Sequence, residues 1–126
     1  MKKALILTLS ALFLGLCALP LMAEEAASIS IQNLYKERAE YNGKQVTLQG
    51  KVVKVNNKIM QRNFLHLQDG TGSADDGSND ITVTSQDTAN VGDQVTVTGT
   101  LILDHDFGAG YRYPLLVEKA KITPAH

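Results

Sequence analysis

The chain has 126 residues, of which 44% are hydrophobic and 20% charged, with 12 Lys and Arg, 13 Asp and Glu, and one cysteine. A single cysteine excludes a disulfide framework, so we expect one domain that is stabilised by its own core. The net charge of −1 excludes a strongly basic protein that attracts polyanions through its overall charge.

The N-terminus has the pattern of a secretory signal peptide. Two lysines precede an apolar segment from Ala4 to Ala18, and Ala23 stands before two acids. This order predicts a signal peptide at residues 1–23 and a mature domain at residues 24–126. The apolar segment is shorter than the ~20 residues of a spanning helix. We therefore expect a periplasmic or secreted protein without membrane contact after cleavage, with lipid attachment at Cys17 as the alternative.

The stretch "SISIQNLYKERAEYNGKQV" predicts a short helix at the start of the mature domain. Ser30 suits the N-cap position, apolar residues recur on neighbouring turns, and Asn42 and Gly43 end the pattern. We expect this helix to cover one end of a sheet.

From Gln45 onward the apolar residues alternate with polar ones, which predicts five strands. Gly50 and a bulge at Val52 and Val53 would let the long first strand bend and pair in two directions. In the second strand, "NFLHLQ", Phe64 and His66 are predicted to point outward. The predicted core consists of Val46, Leu48, Val53, Leu65, Leu67, Ile81, Val83, Val95, Val97 and Leu101.

Five strands with short connections predict an all-β fold, a five-stranded Greek-key barrel with a short N-terminal helix. The blocks "GKVVKV", "NFLHLQDGTG", "ITVT", "VGDQVTVTGTL" and "DHDFGAGYRYPLLVEKAKI" resemble small exported bacterial OB-fold proteins. They are also similar to the OB-fold domain attached to secreted nonspecific nucleases and to helix-less periplasmic stress-tolerance OB-fold proteins. The resemblance implies an OB-fold barrel that binds a ligand, with Phe64 where those proteins usually carry tryptophan.

The segment "QDGTGSADDGSND" allows three interpretations. It lacks the lysine and the following helix of a phosphate-binding loop. Its carboxylates would suit calcium, but no glutamate closes the loop at the twelfth position. We therefore favour a hairpin connection. The three histidines have no metal-site spacing, and no nucleophile is paired in sequence with a base, so we expect no metal, no cofactor and no enzymatic activity.

Charge is segregated along the chain. Residues 41–62 contain five Lys and Arg and no acid, whereas residues 63–111 contain eight acids and no Lys or Arg. The basic residues lie on the first strand and on the following loop, "NNKIMQRN", which corresponds to the loop with which nucleic-acid-binding OB-folds clamp a strand. Outward aromatic rings beside such cations would suit single-stranded nucleic acid, which needs stacking surfaces for bases and charges for phosphates. The predicted ligand-binding residues are Lys51, Lys54, Lys58, Arg62, Phe64, His66 and Tyr111.

Two observations leave an alternative open. Loss of Lys2 and Lys3 with the signal peptide would leave 10 Lys and Arg against 13 acids, a net charge of −3 that repels polyanions. The aromatic segment "DFGAGYRYP" would also suit a partner other than a nucleobase. The alternative is a stress-tolerance or protein-interaction module that binds an envelope protein or a cationic small molecule through the acidic half.

Overall fold

The computed structural model describes residues 28–108 and 110–125. The predicted signal peptide, Cys17 and His126 lie outside these residues. None of the helices in the described ranges is long and apolar enough to cross a membrane. The elements are α1 (Ile31–Lys36), α2 (Arg38–Tyr41), β1 (Gln45–Ile59), β2 (Arg62–Gln68), β3 (Ile81–Ser85), β4 (Gln94–Asp106) and β5 (Arg112–Pro124).

The five strands form one sheet that closes in a ring in the order β1-β2-β3-β5-β4, with β4 pairing back to β1. Neighbouring strands are antiparallel except for β3 and β5, which are parallel. The predicted all-β class, the five strands and the short N-terminal helix are confirmed.

Strand β1 pairs in two directions, as the sequence predicts. Its first half pairs with β4 and its second half with β2, and the change occurs at Lys51. Next to this point, a Cβ on Gly50 would approach the Gln68 carbonyl oxygen to 3.0 Å. The bulge follows at Val53, so Val52 lies in the core and Val53 is only half-buried. The prediction of Val53 as a core residue is wrong, because the alternation slips after Val53 rather than after Gly50.

The core lies inside the ring and under helix α1. Ile31 and Leu34 of α1 belong to it, so the helix covers one end of the sheet as expected. The Ser30 hydroxyl accepts a hydrogen bond from the Asn33 backbone N–H at 3.1 Å, which confirms the N-cap. The other predicted core residues lie in the core: Val46, Leu48, Leu65, Leu67, Ile81, Val83, Val95, Val97 and Leu101.

The connection between β1 and β2 differs from the prediction. The sequence "NNKIMQRN" is expected to form a loop that clamps a ligand, but β1 continues to Ile59 and β2 begins at Arg62. Only Met60 and Gln61 lie between them, both with positive φ, which is the conformation of a two-residue hairpin turn. The basic residues therefore lie on a two-stranded ribbon rather than on a loop.

Candidate ligand-binding face

The side of the sheet that faces away from the core over β2, β3 and β5 is called the outer face below. Phe64 pairs with Thr84 across β2 and β3, while His66 pairs with Thr82, and Thr82 pairs with Leu116 of β5. Phe64 is only 4% exposed, and both threonines and Leu116 are buried as well. The direction predicted for Phe64 is right, but its role as an open stacking surface is wrong.

Aromatic rings from the connection between β4 and β5 and from the start of β5 cover Phe64. The Phe107 ring lies edge-to-face with Phe64 at 5.4 Å between centroids, and the Tyr113 ring lies 6.0 Å away. His105 contacts Phe107 at 4.3 Å between centroids. The Arg62 guanidinium lies 4.9 Å from the centroid of the Phe107 ring, within the range of a cation–π contact. Phe64, His105, Phe107 and Tyr113 form the aromatic cluster of this protein.

The tip between β4 and β5 is built to turn sharply above the outer face. The Phe107 backbone N–H donates to the Tyr111 carbonyl at 2.8 Å, and the Gly108 N–H donates to Asp106 Oδ1 at 2.7 Å. Gly108 has a positive φ of 88°, a conformation that favours glycine. Tyr111 is 44% exposed, so this predicted ligand-binding residue offers an open ring at the tip. Burial, followed by the neighbouring Tyr111, raises the pKa of Tyr113.

His66 is held by an acid. Its Nδ1 lies 2.8 Å from Asp80 Oδ1, and Gln68 Nε2 donates to Asp80 Oδ2 at 3.0 Å. The side chains of His66 and Asp80 are each 27% exposed. His66 therefore lies on the outer side of β2, as predicted, with a carboxylate against its ring. A carboxylate therefore stands on the outer face next to His66, whose cross-strand partner on β1 is Lys54.

The predicted cations follow one ribbon but do not converge. Lys54 lies opposite His66, while Lys51 lies farther along β1, in a shallow groove with Asp69. Lys58 is exposed near the hairpin turn, where its backbone N–H donates to Asn63 Oδ1 at 2.9 Å. Of these four cations, Arg62 makes a cation–π contact with the aromatic cluster, at Phe107.

A pocket of about 220 Å³ lies on the outer side between β3 and β5. Glu118 and Lys119, which are not among the predicted ligand-binding residues, line this pocket together with Arg62. Strict alternation along β5 would have separated these adjacent residues onto opposite faces, but a register shift of β5 interrupts the alternation here. The signal for such a shift in the sequence is weak, because no glycine marks it within β5. The pocket lining consists of Arg62, Thr84, Ser85, Gln86, Glu118, Lys119 and Ala120.

Carboxylates of the acidic segment between β2 and β3 stabilise turns. Asp69 Oδ2 accepts from the Ile31 backbone N–H at 2.9 Å, and its Oδ1 accepts from the Thr71 N–H and hydroxyl. Asp76 Oδ1 accepts from the hydroxyl and the N–H of Ser78, and these hydrogen bonds lower the pKa of Asp76. Within residues 28–108 and 110–125, no group of three or more His, Cys, Asp or Glu side chains could hold a metal ion. The contacts support a structured hairpin connection.

Tyr35 gives the protein a pH-dependent contact at alkaline pH. Its hydroxyl donates to the Asp80 carbonyl at 2.6 Å. Burial, and then the charge of Asp80, raises the pKa of Tyr35 from 10.0 to about 12. This raised pKa contributes stability that is fully present below pH 10 and is lost as the pH rises through about 12.

Tyr35→Phe is therefore expected to cost about 1 kcal/mol of unfolding free energy at pH 7, the typical net value of a hydrogen bond. The variant should also lose less stability than the parent between pH 10 and pH 12, because it lacks this ionisable group. Urea unfolding at both ends of that range measures the difference. Tyr111→Phe, at an exposed ring, is the control and should follow the parent. Equal alkaline losses in Tyr35→Phe and the parent would contradict the assignment.

In comparisons with known proteins, no family model and no curated protein matches this chain.

Proposed function

We propose that this protein is an exported, non-enzymatic OB-fold module that binds single-stranded nucleic acid on its outer face. The ring order β1-β2-β3-β5-β4, with β1 paired to both β2 and β4, supports an OB-fold barrel. OB-folds bind oligonucleotides over strands 2 and 3, between the connections that follow strands 1 and 4. The ribbon of β1 and β2 and the tip of β4 and β5 occupy these places here.

The contact between Arg62 and Phe107 carries the proposal. It joins the basic ribbon to the aromatic tip, so that a guanidinium and aromatic rings meet at one edge of the outer face. Single-stranded nucleic acid needs this pair of features, since bases stack on rings and phosphates contact cations. Because Phe64 is covered, the stacking role passes to the more exposed rings of Phe107, Tyr111 and Tyr113.

The cations of the ribbon must attract phosphates at short range, because the net charge of the mature chain repels them. Asp80 stands on the outer face, and an acid there opposes a phosphate. Binding would therefore depend on the ribbon cations at short range and weaken as salt rises. For single strands, the logarithm of the binding constant falls with the logarithm of salt concentration with a slope of roughly −0.7 per neutralised phosphate.

The decisive experiment is a fluorescence-anisotropy titration of residues 24–126 with a labelled single-stranded oligothymidine at two salt concentrations. We expect saturable binding at the lower salt and weaker binding at the higher salt. Absence of binding at both would overturn the proposed function.

Removal of one ribbon cation should weaken binding and reduce its salt dependence. We expect Lys54→Gln and Lys58→Gln each to lower the magnitude of the salt slope by about 0.7. Lys121→Gln is the matched control, because Lys121 is exposed and pairs with Thr98 of β4, away from β2. Asp75→Asn should leave the affinity intact, since an exposed carboxylate offers nothing to an anionic ligand. Equal slopes in the parent and both ribbon variants would show that these lysines meet no phosphate.

The predicted signal peptide can be tested separately. We expect the exported protein to begin at Glu24, because Ala23 completes the signal-peptide pattern. Intact-mass spectrometry of the protein from the periplasm or culture medium checks the cleavage site. A retained Met1 or a lipid on Cys17 would contradict the prediction of a freely soluble, exported domain.

The second candidate is a protein-interaction or stress-tolerance module. Two observations favour it: the Phe64 ring is covered, and Asp75 and Asp76 are exposed in the acidic segment between β2 and β3. Such a surface would attract a cationic partner. Binding of spermidine that Asp75→Asn weakens, together with no binding of the oligonucleotide, would favour this candidate.

A further inference from the structure

We propose that the pocket between β3 and β5, called the seam pocket below, holds one nucleotide unit. Arg62 and Lys119 would contact its phosphate, and Glu118 would accept a hydrogen bond from an N–H group of the base or from a ribose hydroxyl. This inference rests on the proposed function, because it assigns a particular unit of the bound strand to a particular place. It adds Glu118 and Lys119 to the candidate ligand-binding residues, of which Arg62 also lines this pocket.

The seam pocket exists because β5 bulges away from β3. Val83 pairs with Val117 and Ser85 pairs with Ala120, so β5 has one residue more than β3 between these pairs. The extra residue is accommodated at Lys119, whose φ of 53° is unusual for a residue other than glycine. Bulges of this kind often lie beside binding sites, where they redirect a side chain.

Neighbouring contacts hold the bulge in place. The Lys119 backbone N–H donates to the Thr84 hydroxyl at 3.4 Å, and the Ser85 hydroxyl donates to the Ala120 carbonyl at 2.5 Å. On the β4 side, a Cβ on Gly99 would lie 2.9 Å from the Glu118 carbonyl oxygen. The missing side chain at Gly99 therefore lets β5 lie close to β4 at the bulge. The geometry of the pocket is set by the fold and does not depend on a ligand.

Among the described residues, the charged side chains of the seam pocket have no ionic partner. Within the described part of the chain, the one ion pair within 4.0 Å joins His66 and Asp80, so Arg62, Glu118 and Lys119 form none. Arg62 and Glu118 are half-buried, and the ring of Phe107 restricts the guanidinium. Two cations and one carboxylate around one pocket suit a ligand that carries both an anionic group and hydrogen-bond donors. A nucleotide has both.

The volume of the seam pocket and its uncharged polar side chains suit a single nucleotide unit. The volume of about 220 Å³ is below the ~300–1,000 Å³ of pockets that enclose drug-sized ligands, so the pocket has no room for more than one nucleotide, part of which would stay exposed. The Thr84 hydroxyl, which accepts from Lys119, retains its own hydrogen for donation. Gln86 donates through its amide nitrogen to the Gln61 carbonyl at 3.0 Å, which leaves its side-chain oxygen as an acceptor. These groups, with Glu118, can hydrogen-bond the edge of one base.

Competition with mononucleotides tests the seam pocket. GMP, IMP and dGMP are each added to the complex of the parent with labelled oligothymidine, with inorganic phosphate as a further competitor. We expect GMP to compete more strongly than inorganic phosphate. A weaker effect of IMP would show that Glu118 accepts a hydrogen bond from the base amino group, and a weaker effect of dGMP would show that it accepts one from the ribose hydroxyl.

Two variants identify the residues. Lys119→Gln should weaken the binding of GMP by about tenfold at low salt, as expected for the loss of one charge-assisted contact. Glu118→Gln should reduce the preference for GMP over the analogue that lacks the donor. Lys121→Gln, two residues farther along β5, is the control and should change neither. Thermal melting of each variant confirms that it is folded.

The outcomes separate this inference from the proposed function. If the parent binds oligothymidine but no mononucleotide competes, or if both pocket variants behave as the parent, the seam pocket is wrong and the proposed function stands. If GMP binds through Glu118 and Lys119 but oligothymidine does not bind, the proposed function is wrong and the pocket is a mononucleotide site. Absence of both kinds of binding overturns both.

Discussion

Leu67→Ala is expected to lower the free energy of unfolding by about 2–5 kcal/mol, the range measured for buried leucine truncations. Leu67 is fully buried, and its cross-strand partners are Val52 on β1 and Ile81 on β3. The truncation leaves a cavity that the closed sheet cannot easily fill by collapsing. Because a domain of this size has only ~5–15 kcal/mol in total, urea unfolding should show a large shift of the midpoint.

Val91→Ala provides the control for this measurement. Val91 is 64% exposed in the connection between β3 and β4, so its truncation should change the unfolding free energy by less than about 0.5 kcal/mol. An unchanged midpoint in Leu67→Ala would mean that this residue is not packed in the core. Equal losses in both variants would point to a general effect of truncation rather than to the packing inside the ring.

The alternation of apolar residues predicts most of the fold because each strand has one side against a continuous core. Leu65 and Leu67 can be buried together only if their side of β2 faces the core. The same holds for Val95 and Val97 on β4, and all four residues lie in the core. The helix cap at Ser30 is equally local, since its hydroxyl bonds a backbone group three residues away. Features of this kind depend on neighbours within a few positions of the sequence.

The position of the bulge in β1 is not a local property. Val52 and Val53 are the same residue type, so the alternation has no preference for either as the extra residue. The choice depends on β2, where Leu67 pairs with Val52 and His66 with Lys54. The turn at Met60 and Gln61 was missed for a different reason. Both residues have positive φ, but neither is of a type that usually adopts it.

The candidate site was predicted in part. The alternation correctly places Phe64 on the outer side of β2, but it cannot report which segment covers that side. The cover comes from Phe107 and Tyr113, some forty residues later in the chain. Glu118 and Lys119 were missed because a register shift, rather than an alternating pattern, brings them to one pocket. Long-range packing therefore determines what the outer face can bind.

Because Phe64 is buried, its truncation is expected to destabilise the domain. Phe64→Ala should lower the unfolding free energy by about 3–5 kcal/mol, as truncations of buried phenylalanines do. The loss arises on the outer face, because Phe64 packs on Phe107 and Tyr113 rather than inside the ring. Phe64→Leu keeps an apolar side chain under the tip and should lose less. A change below 0.5 kcal/mol in Phe64→Ala would mean that the ring is exposed in solution.

A double-mutant cycle tests whether Phe64 supports the tip. Phe107 is half-buried, so Phe107→Ala alone should lower the unfolding free energy less than Phe64→Ala does. The coupling energy between the two substitutions should be about 0.5–1.5 kcal/mol, the range for aromatic pairs in contact. A coupling energy of zero would show that the edge-to-face contact at 5.4 Å does not persist in solution.

Binding measurements on the same variants distinguish whether Phe64 supports the tip or contacts the ligand itself. If Phe64 acts only beneath the tip, Phe64→Leu should retain most of the affinity for oligothymidine under conditions where it is fully folded. Phe107→Ala should weaken binding more, because it removes an accessible ring and the surface on which Arg62 lies. Each stacked base contributes roughly 1–3 kcal/mol, so the loss should be at least about fivefold. The reverse order of affinities would assign stacking to Phe64 and require the tip to move away when the ligand binds.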